Sequence, residues 1–170
     1  MSNNTPNNFA GFHVRQTPMT ADEKIRAERA QVIRNEIEEI VSVEGASFLD
    51  RSPIIGAINP LAMPMTITTS TDKNGRINVV GSVTFGSAYE GPPGCVHGGV
   101  IAAYFDEVCG VAQSTTGNPG MTVNLTINYR APTPLHKPLE FRAFVASTEK
   151  RKIITTGSLY HGETLCAEAT

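Results

Sequence analysis

One stretch constrains this chain more than any other. His97-Gly98-Gly99 opens onto Val100-Ile101-Ala102-Ala103-Tyr104-Phe105, then Asp106-Glu107, then Val108, Cys109, Val111 and Ala112. Apolar side chains fall on nearly every side of such a helix, so it belongs in the middle of a core. A Gly/Pro-rich loop, Gly91-Pro92-Pro93-Gly94-Cys95-Val96, leads into it. The two adjacent carboxylates then require a reason, because a buried charge is costly unless it is satisfied or employed.

The elements around this helix read as follows. Thr20 and Glu23 have capping-box spacing ahead of a charged helix at about 21–43. Its Ile25, Val32, Ile33, Ile37, Ile40 and Val41 form one apolar stripe that needs a surface to pack on, either the domain or a partner subunit. Residues 44–62, with Pro53, Gly56 and Pro60, read as irregular. Met63–Thr71 reads as a strand leading into Lys73-Asn74-Gly75, a hairpin signal. Alternation continues over 77–85 and, after the central helix at about 97–113, over 123–130, 139–145, 153–160 and 164–170. Turns fall at Glu149–Lys152 and His161-Gly162, and no turn signal follows Ala169, as if the last strand were cut short. One helix between antiparallel hairpins predicts an α+β fold, a curled antiparallel sheet around that helix, with an extra N-terminal helix. The expected divisions are a flexible tail at 1–19, a helix and linker at 20–62 and the main domain at 63–170.

Composition narrows the function classes. A chain of 170 residues that is 40% hydrophobic can bury a sizeable core. The net charge of -2 and the lack of a long basic run argue against nucleic acid as a partner. The first residues lack the basic start and apolar run of a signal peptide, and no apolar stretch reaches the ~20 residues of a membrane span. The expected location is cytoplasmic. Cys95, Cys109 and Cys166 show no Cys-x-x-Cys spacing and read as reduced core residues. His13, His97, His136 and His161 have no metal-ligand spacing, so neither a metal nor a cofactor is expected.

The central segment suggests chemistry. The first N–H groups of a helix starting at Gly98 have no intrahelical acceptor and sit at its positive dipole end. They can hold a developing oxyanion, and glycine lets a carbonyl approach the backbone closely. Asp106 suits a general base on water or a nucleophile, the alternative being a satisfied structural acid. These parts suit ester or thioester hydrolysis. Glu107 lies about 100° further round the helix and reads as solvent-facing or interfacial. His97 reads as the residue that holds the turn by hydrogen bonding, with a free general-base role as the alternative. Gly98 and Asp106 are eight residues apart, roughly 12 Å along a helix. One carbonyl cannot touch both, so two chains are needed if both act on the same atom. Lys150-Arg151-Lys152 reads as a solvated hairpin tip or, with Arg130, as a receiver of phosphates.

Glu90-Gly91-Pro92-Pro93-Gly94-Cys95-Val96-His97-Gly98-Gly99, with Asp106 nine residues after the histidine, resembles the hotdog-fold acyl-CoA thioesterases. The likeness is to the branch holding the phenylacetate-degradation thioesterases and the thioesterase superfamily members of animals. Thr122-Val123-Asn124-Leu125-Thr126-Ile127-Asn128-Tyr129-Arg130-Ala131-Pro132 resembles the following strand of that branch, with its Tyr-x-x-Pro ending. The resemblance covers about residues 60–170.

It implies hydrolysis of acyl-CoA to free acid and coenzyme A, in dimers whose sheets join edge to edge, as dimers or dimers of dimers. It places the sites at the dimer interface. Gly98 N–H would polarise the thioester carbonyl, with Gly99 beside it at the substrate and His97 supporting the loop. Asp106 would be the base or nucleophile, and Thr122 would orient the water or the acid. By their clustered charge rather than by the resemblance, Lys150, Arg151 and Lys152, with Arg130, would receive the phosphates of coenzyme A. Some relatives carry an Asn shortly before the histidine, whereas this chain has Gly91 six residues before it. Thr122 shares strand parity with Asn124, so a regular strand would point it away from the core helix. A non-catalytic acyl-CoA-binding or regulatory protein is the alternative. A hydratase of the same fold would need a His–acid pattern that the sequence lacks.

Overall fold

The structure, a computed structural model, describes residues 18–41, 48–118 and 120–170. The expected tail up to residue 17, the last expected residues of the first helix, 42–43, and the first linker residues, 44–47, lie outside the described residues. The chain divides between Glu39 and Ile40 into two compact units. The first carries most of helix α1 (Ala21–Val41). Its capping box is formed as the spacing predicts: Glu23 N–H donates to Thr20 Oγ1 at 3.3 Å, and Thr20 N–H donates to Glu23 Oε2 at 2.7 Å. Of the expected stripe, Ile25, Val32 and Ile33 are exposed, and the side chains of Ile40 and Val41 are outside the described residues.

In the second unit a one-turn helix, α2 (Phe48–Arg51), lies where the sequence reads as irregular. Strands β1 (Thr66–Thr71) and β2 (Ile77–Val83) precede helix α3 (Gly98–Ser114). Strands β3 (Ile127–Tyr129), β4 (Leu139–Glu149), β5 (Lys152–His161) and β6 (Thr164–Ala169) follow. They form one antiparallel sheet in the order β1-β2-β4-β5-β6-β3. The β1–β2 turn is set by local chemistry. Asp72 Oδ1 accepts from the N–H groups of Asn74 and Arg76 at 2.8 and 3.0 Å, and Gly75 supplies the left-handed φ of 81°.

The sheet curls around α3, which packs on β2, β4 and β5. Tyr104 meets Phe85 edge-on at 4.7 Å, and Phe105 meets Phe141 edge-on at 5.1 Å. Each of these four rings is at least 98% buried, worth ~1.5–3 kcal/mol for a Phe side chain. The close approach needs a glycine on β5. A Cβ at Gly157 would lie 2.9 Å from Phe105 Cδ1 and 3.2 Å from Cys109 Sγ. Burial pushes the Cys109 thiol above its ordinary pKa. Cys109 and Cys166 are core residues as expected, but Cys95 is only half-buried, because it sits in the loop before α3.

The strand expected over 123–130 is much shorter. Only Ile127–Tyr129 pair with β6, and Thr126 adds one rung by exchanging backbone hydrogen bonds with Thr170. Among the described residues, no strand pairs with residues 122–125. Met121 and Val123 are 91% and 95% exposed.

Candidate active site

The turn before α3 is built by short-range bonds. Gly91 N–H donates to Cys95 O at 2.9 Å, and Glu90 Oε1 accepts from Gly94 N–H at 2.7 Å. A Cβ on Gly91 would lie 2.7 Å from His97 Cα, so the loop closes this tightly only over glycine. His97 N–H donates to Tyr89 O at 2.8 Å, and His97 is the N-cap of α3. Its Nδ1 accepts from Gly99 N–H at 3.0 Å. An accepting Nδ1 carries no proton, so the neutral ring bears its hydrogen on Nε2, an assignment made from the hydrogen bonding. His97 thus does the work of a capping Asn or Ser. Its carbonyl accepts from Val100 and Ile101 N–H at 3.0 and 3.1 Å. The Gly98 N–H on the same peptide stands at the first helical position, where the helix offers no acceptor.

Asp106 lies two turns along α3. It is exposed rather than buried, because it projects from the edge of α3 not covered by the sheet. Thr122 Oγ1 donates to Asp106 Oδ1 at 2.7 Å. This overturns the orientation that strand parity implies for Thr122. Parity holds only inside a ladder, and residues 122–125 are outside one. With Oδ1 held, Oδ2 remains to accept a proton or attack a carbon.

Glu107, expected to face solvent or an interface, is half-buried and tied to its own chain. Ser52 Oγ donates to Glu107 Oε1 at 2.6 Å and accepts from the N–H groups of Ile54 and Ile55 at 3.1 and 3.2 Å. Ser52 is 2% exposed. Glu107 therefore fastens the segment after α2 onto the core helix. Neither Ser52 nor its partnership with a residue 55 positions later carries any local signal in the sequence. Tyr129 reaches back in the same way: its hydroxyl donates to Gly98 O at 2.7 Å.

The basic residues are not brought together within one chain. Lys150, Arg151 and Lys152 are exposed at the β4–β5 tip. Arg130 is paired with Glu168 at 2.8 Å, and its N–H donates to Cys166 O. Cys166 lies beside the Leu159 end of β5, seven residues or roughly 23 Å along the strand from Lys152. An open pocket of about 540 Å³, bordered by Met63, Val83, Leu139, Arg142 and Tyr160, contains none of the candidate residues. Among the described residues no helix is long and apolar enough to cross a membrane.

The arrangement therefore offers a backbone donor at one end of α3 and a hydroxyl-held carboxylate eight residues on. Comparison with known proteins identifies the family. A family model described as the thioesterase superfamily matches residues 93–168, which include α3, Thr122 and Tyr129. The chain is 38% identical over 71 residues to a protein of Xenopus laevis named Acyl-coenzyme A thioesterase THEM4, covering 42% of this chain and 32% of that protein. The chain spans about a third of the length of the curated relatives it matches. A crystal structure described as a thioesterase superfamily protein superposes with a TM-score of 0.66 at 32% identity, over 90% of this chain and 82% of that one. At the level of fold alone, a Streptococcus mutans protein bound to acetyl CoA superposes with a TM-score of 0.55 at 19% identity, over 62% of this chain and 82% of that one. With a hotdog sheet around α3 and a relative matched over most of both lengths, the chain belongs to the thioesterase superfamily.

Proposed function

We propose that this protein hydrolyses acyl-CoA thioesters to a free acid and coenzyme A. The observation that carries the reading is Asp106, held at Oδ1 by Thr122, on the same helix that begins with the Gly98 N–H. The names of the curated relatives support the substrate class. Water attacks the thioester carbonyl carbon while Asp106 takes its proton. The carbonyl oxygen gathers negative charge in front of Gly98 N–H, Gly99 lines the approach and His97 caps the turn. Collapse breaks the C–S bond, and the proton goes to the departing thiolate. If Asp106 is instead the nucleophile, its oxygen displaces the coenzyme A thiolate to form a mixed anhydride, the thiolate leaves and takes up a proton, and water then hydrolyses the anhydride to the free acid and the Asp106 carboxylate.

The roughly 12 Å of helix between Gly98 and Asp106 supports a site shared by two chains when both groups act on one carbonyl, Gly98 from one protomer and Asp106 of the partner subunit. The working unit is a homodimer, alone or paired into a dimer of dimers, acting in the cytoplasm. Lys150, Arg151 and Lys152 receive coenzyme A phosphates at the mouth of the site. Arg130, seated elsewhere on the sheet and paired with Glu168, joins them only if it comes from the other protomer.

The test is thiol release from a panel of acyl-CoAs, with a thiol reagent as the readout. Turnover that disappears in Asp106→Asn supports the reading, whereas tight acyl-CoA binding without thiol release points to the non-catalytic alternative. Hybrids of a Gly98 variant and an Asp106 variant, co-expressed and co-purified, should regain part of the activity. Inactive hybrids would count against the shared site. Replacing Lys150, Arg151 and Lys152 with Ala should raise KM for acyl-CoA more than for a short thioester without the nucleotide, and less so as salt rises.

A further inference from the structure

The Gly98–Gly99 peptide is held from both sides. Its carbonyl accepts the Tyr129 hydroxyl at 2.7 Å, and its N–H donates to His97 Nδ1 at 3.0 Å. Tyr129 arrives from β3, at the edge of the sheet, 31 residues further along the chain. Burial does not force this bond, since Tyr129 is 54% exposed and water could satisfy its hydroxyl. The fit is nonetheless close. A Cβ on Gly98 would lie 3.3 Å from Tyr129 Oη and 3.4 Å from Cζ.

We propose that Tyr129 is a positioning residue for the oxyanion turn: it fixes the rotation of the Gly98–Gly99 peptide and so limits rotation about the Gly98 Cα, which joins that peptide to the one carrying the Gly98 N–H. The inference rests on the thioesterase reading above. Two consecutive glycines at a helix start can sample many backbone angles. The helix itself ties the Gly98 carbonyl only from the C-terminal side, and Tyr129 adds a tie from outside it. A donor held in place stabilises charge without reorganising as that charge develops. The benefit therefore falls on the transition state more than on the bound substrate.

The test is Tyr129→Phe, which keeps the ring against Gly98 and removes only the hydroxyl. Turnover, Tm and the affinity of two coenzyme A ligands are measured against wild type. One ligand is a trifluoromethyl-ketone thioether, which hydrates to a tetrahedral mimic of the intermediate. The other is a plain S-alkyl thioether. We expect kcat to fall about three- to tenfold, the rate equivalent of one ordinary hydrogen bond, with KM within twofold and Tm unchanged. The tetrahedral mimic should weaken by a similar factor and the S-alkyl ligand should not. Unchanged kcat overturns the proposal, as does equal weakening of both ligands with a lowered Tm. Wild type that releases no thiol from any acyl-CoA defeats the thioesterase reading, and the ligand pair still reads Tyr129: selective loss keeps the positioning role, equal loss or none removes it. Wild type that binds neither ligand overturns both.

Discussion

Asp106 and Glu107 are neighbours in sequence and face two different regions of the molecule. On the Glu107 flank, Ser52 closes the segment after α2 over the helix, and the carboxylate is half-buried and satisfied within the chain. On the Asp106 flank, the carboxylate is exposed and meets Thr122 from a stretch with which no strand pairs among the described residues. Packing and hydrogen bonding tie one acid into the fold and leave the other open to solvent. The difference shows that neighbours in sequence do not fix the surroundings of an acid in an apolar helix. What decides is which tertiary segment comes to meet it.

The largest expected contrast comes from the acids themselves. Asp106→Asn should cut turnover roughly 100- to 10,000-fold, the usual range for losing a positioned base, at an unchanged Tm. Glu107→Ala should do the reverse, lowering stability by about 1–3 kcal/mol as the buried Ser52 hydroxyl loses its acceptor. Thermal melts and thiol-release rates, normalised to folded protein, check both. If Asp106→Asn turns over like wild type, the two flanks do not differ in function.

A second pair sharpens the comparison through the hydroxyls. Thr122→Ala should lower kcat about tenfold, a hydrogen bond to a charged group in rate terms, and Thr122→Ser should restore it. Ser52→Ala orphans the N–H groups of Ile54 and Ile55. It should cost ~1–3 kcal/mol of stability and leave the rate per folded molecule alone. A rate loss in Ser52→Ala matching that of Thr122→Ala would show that the strapped flank also shapes the site.

The smallest effect probes the face of α3 that meets the sheet. Cys109 is buried and its thiol is raised by burial, so it should resist alkylation in the native protein. Half-buried Cys95, in the loop beside the turn, should label first. Mass spectrometry before and after denaturation reads the order. Native labelling of Cys109 at the rate of Cys95 would mean that α3 leaves its sheet far more readily than its packing implies.

Much of this was legible in the residues. The capping box at Thr20 and Glu23, the Asp72-to-Gly75 turn and the apolar positions of α3 follow from local chemistry that acts within a few residues. The Gly98–Asp106 spacing and the sheet around the helix follow from periodicity. The strand over 123–130 misled because alternation records what a segment could pair with, not which of its residues meet a partner strand. Strand parity misplaced Thr122 for the same reason, whereas the family resemblance put it beside the acid, where its hydroxyl is found.

The sequence by itself determined a helix with an amide turn at one end and an acid two turns on, because helical geometry is set by neighbours three and four residues away. Only the tertiary structure decided which of two adjacent carboxylates is held by Ser52 and which by Thr122, and that Tyr129 ties the turn. Those bonds join residues 55, 16 and 31 positions apart. Side-chain partners at such separations are chosen by the path of the whole chain, which no local pattern encodes.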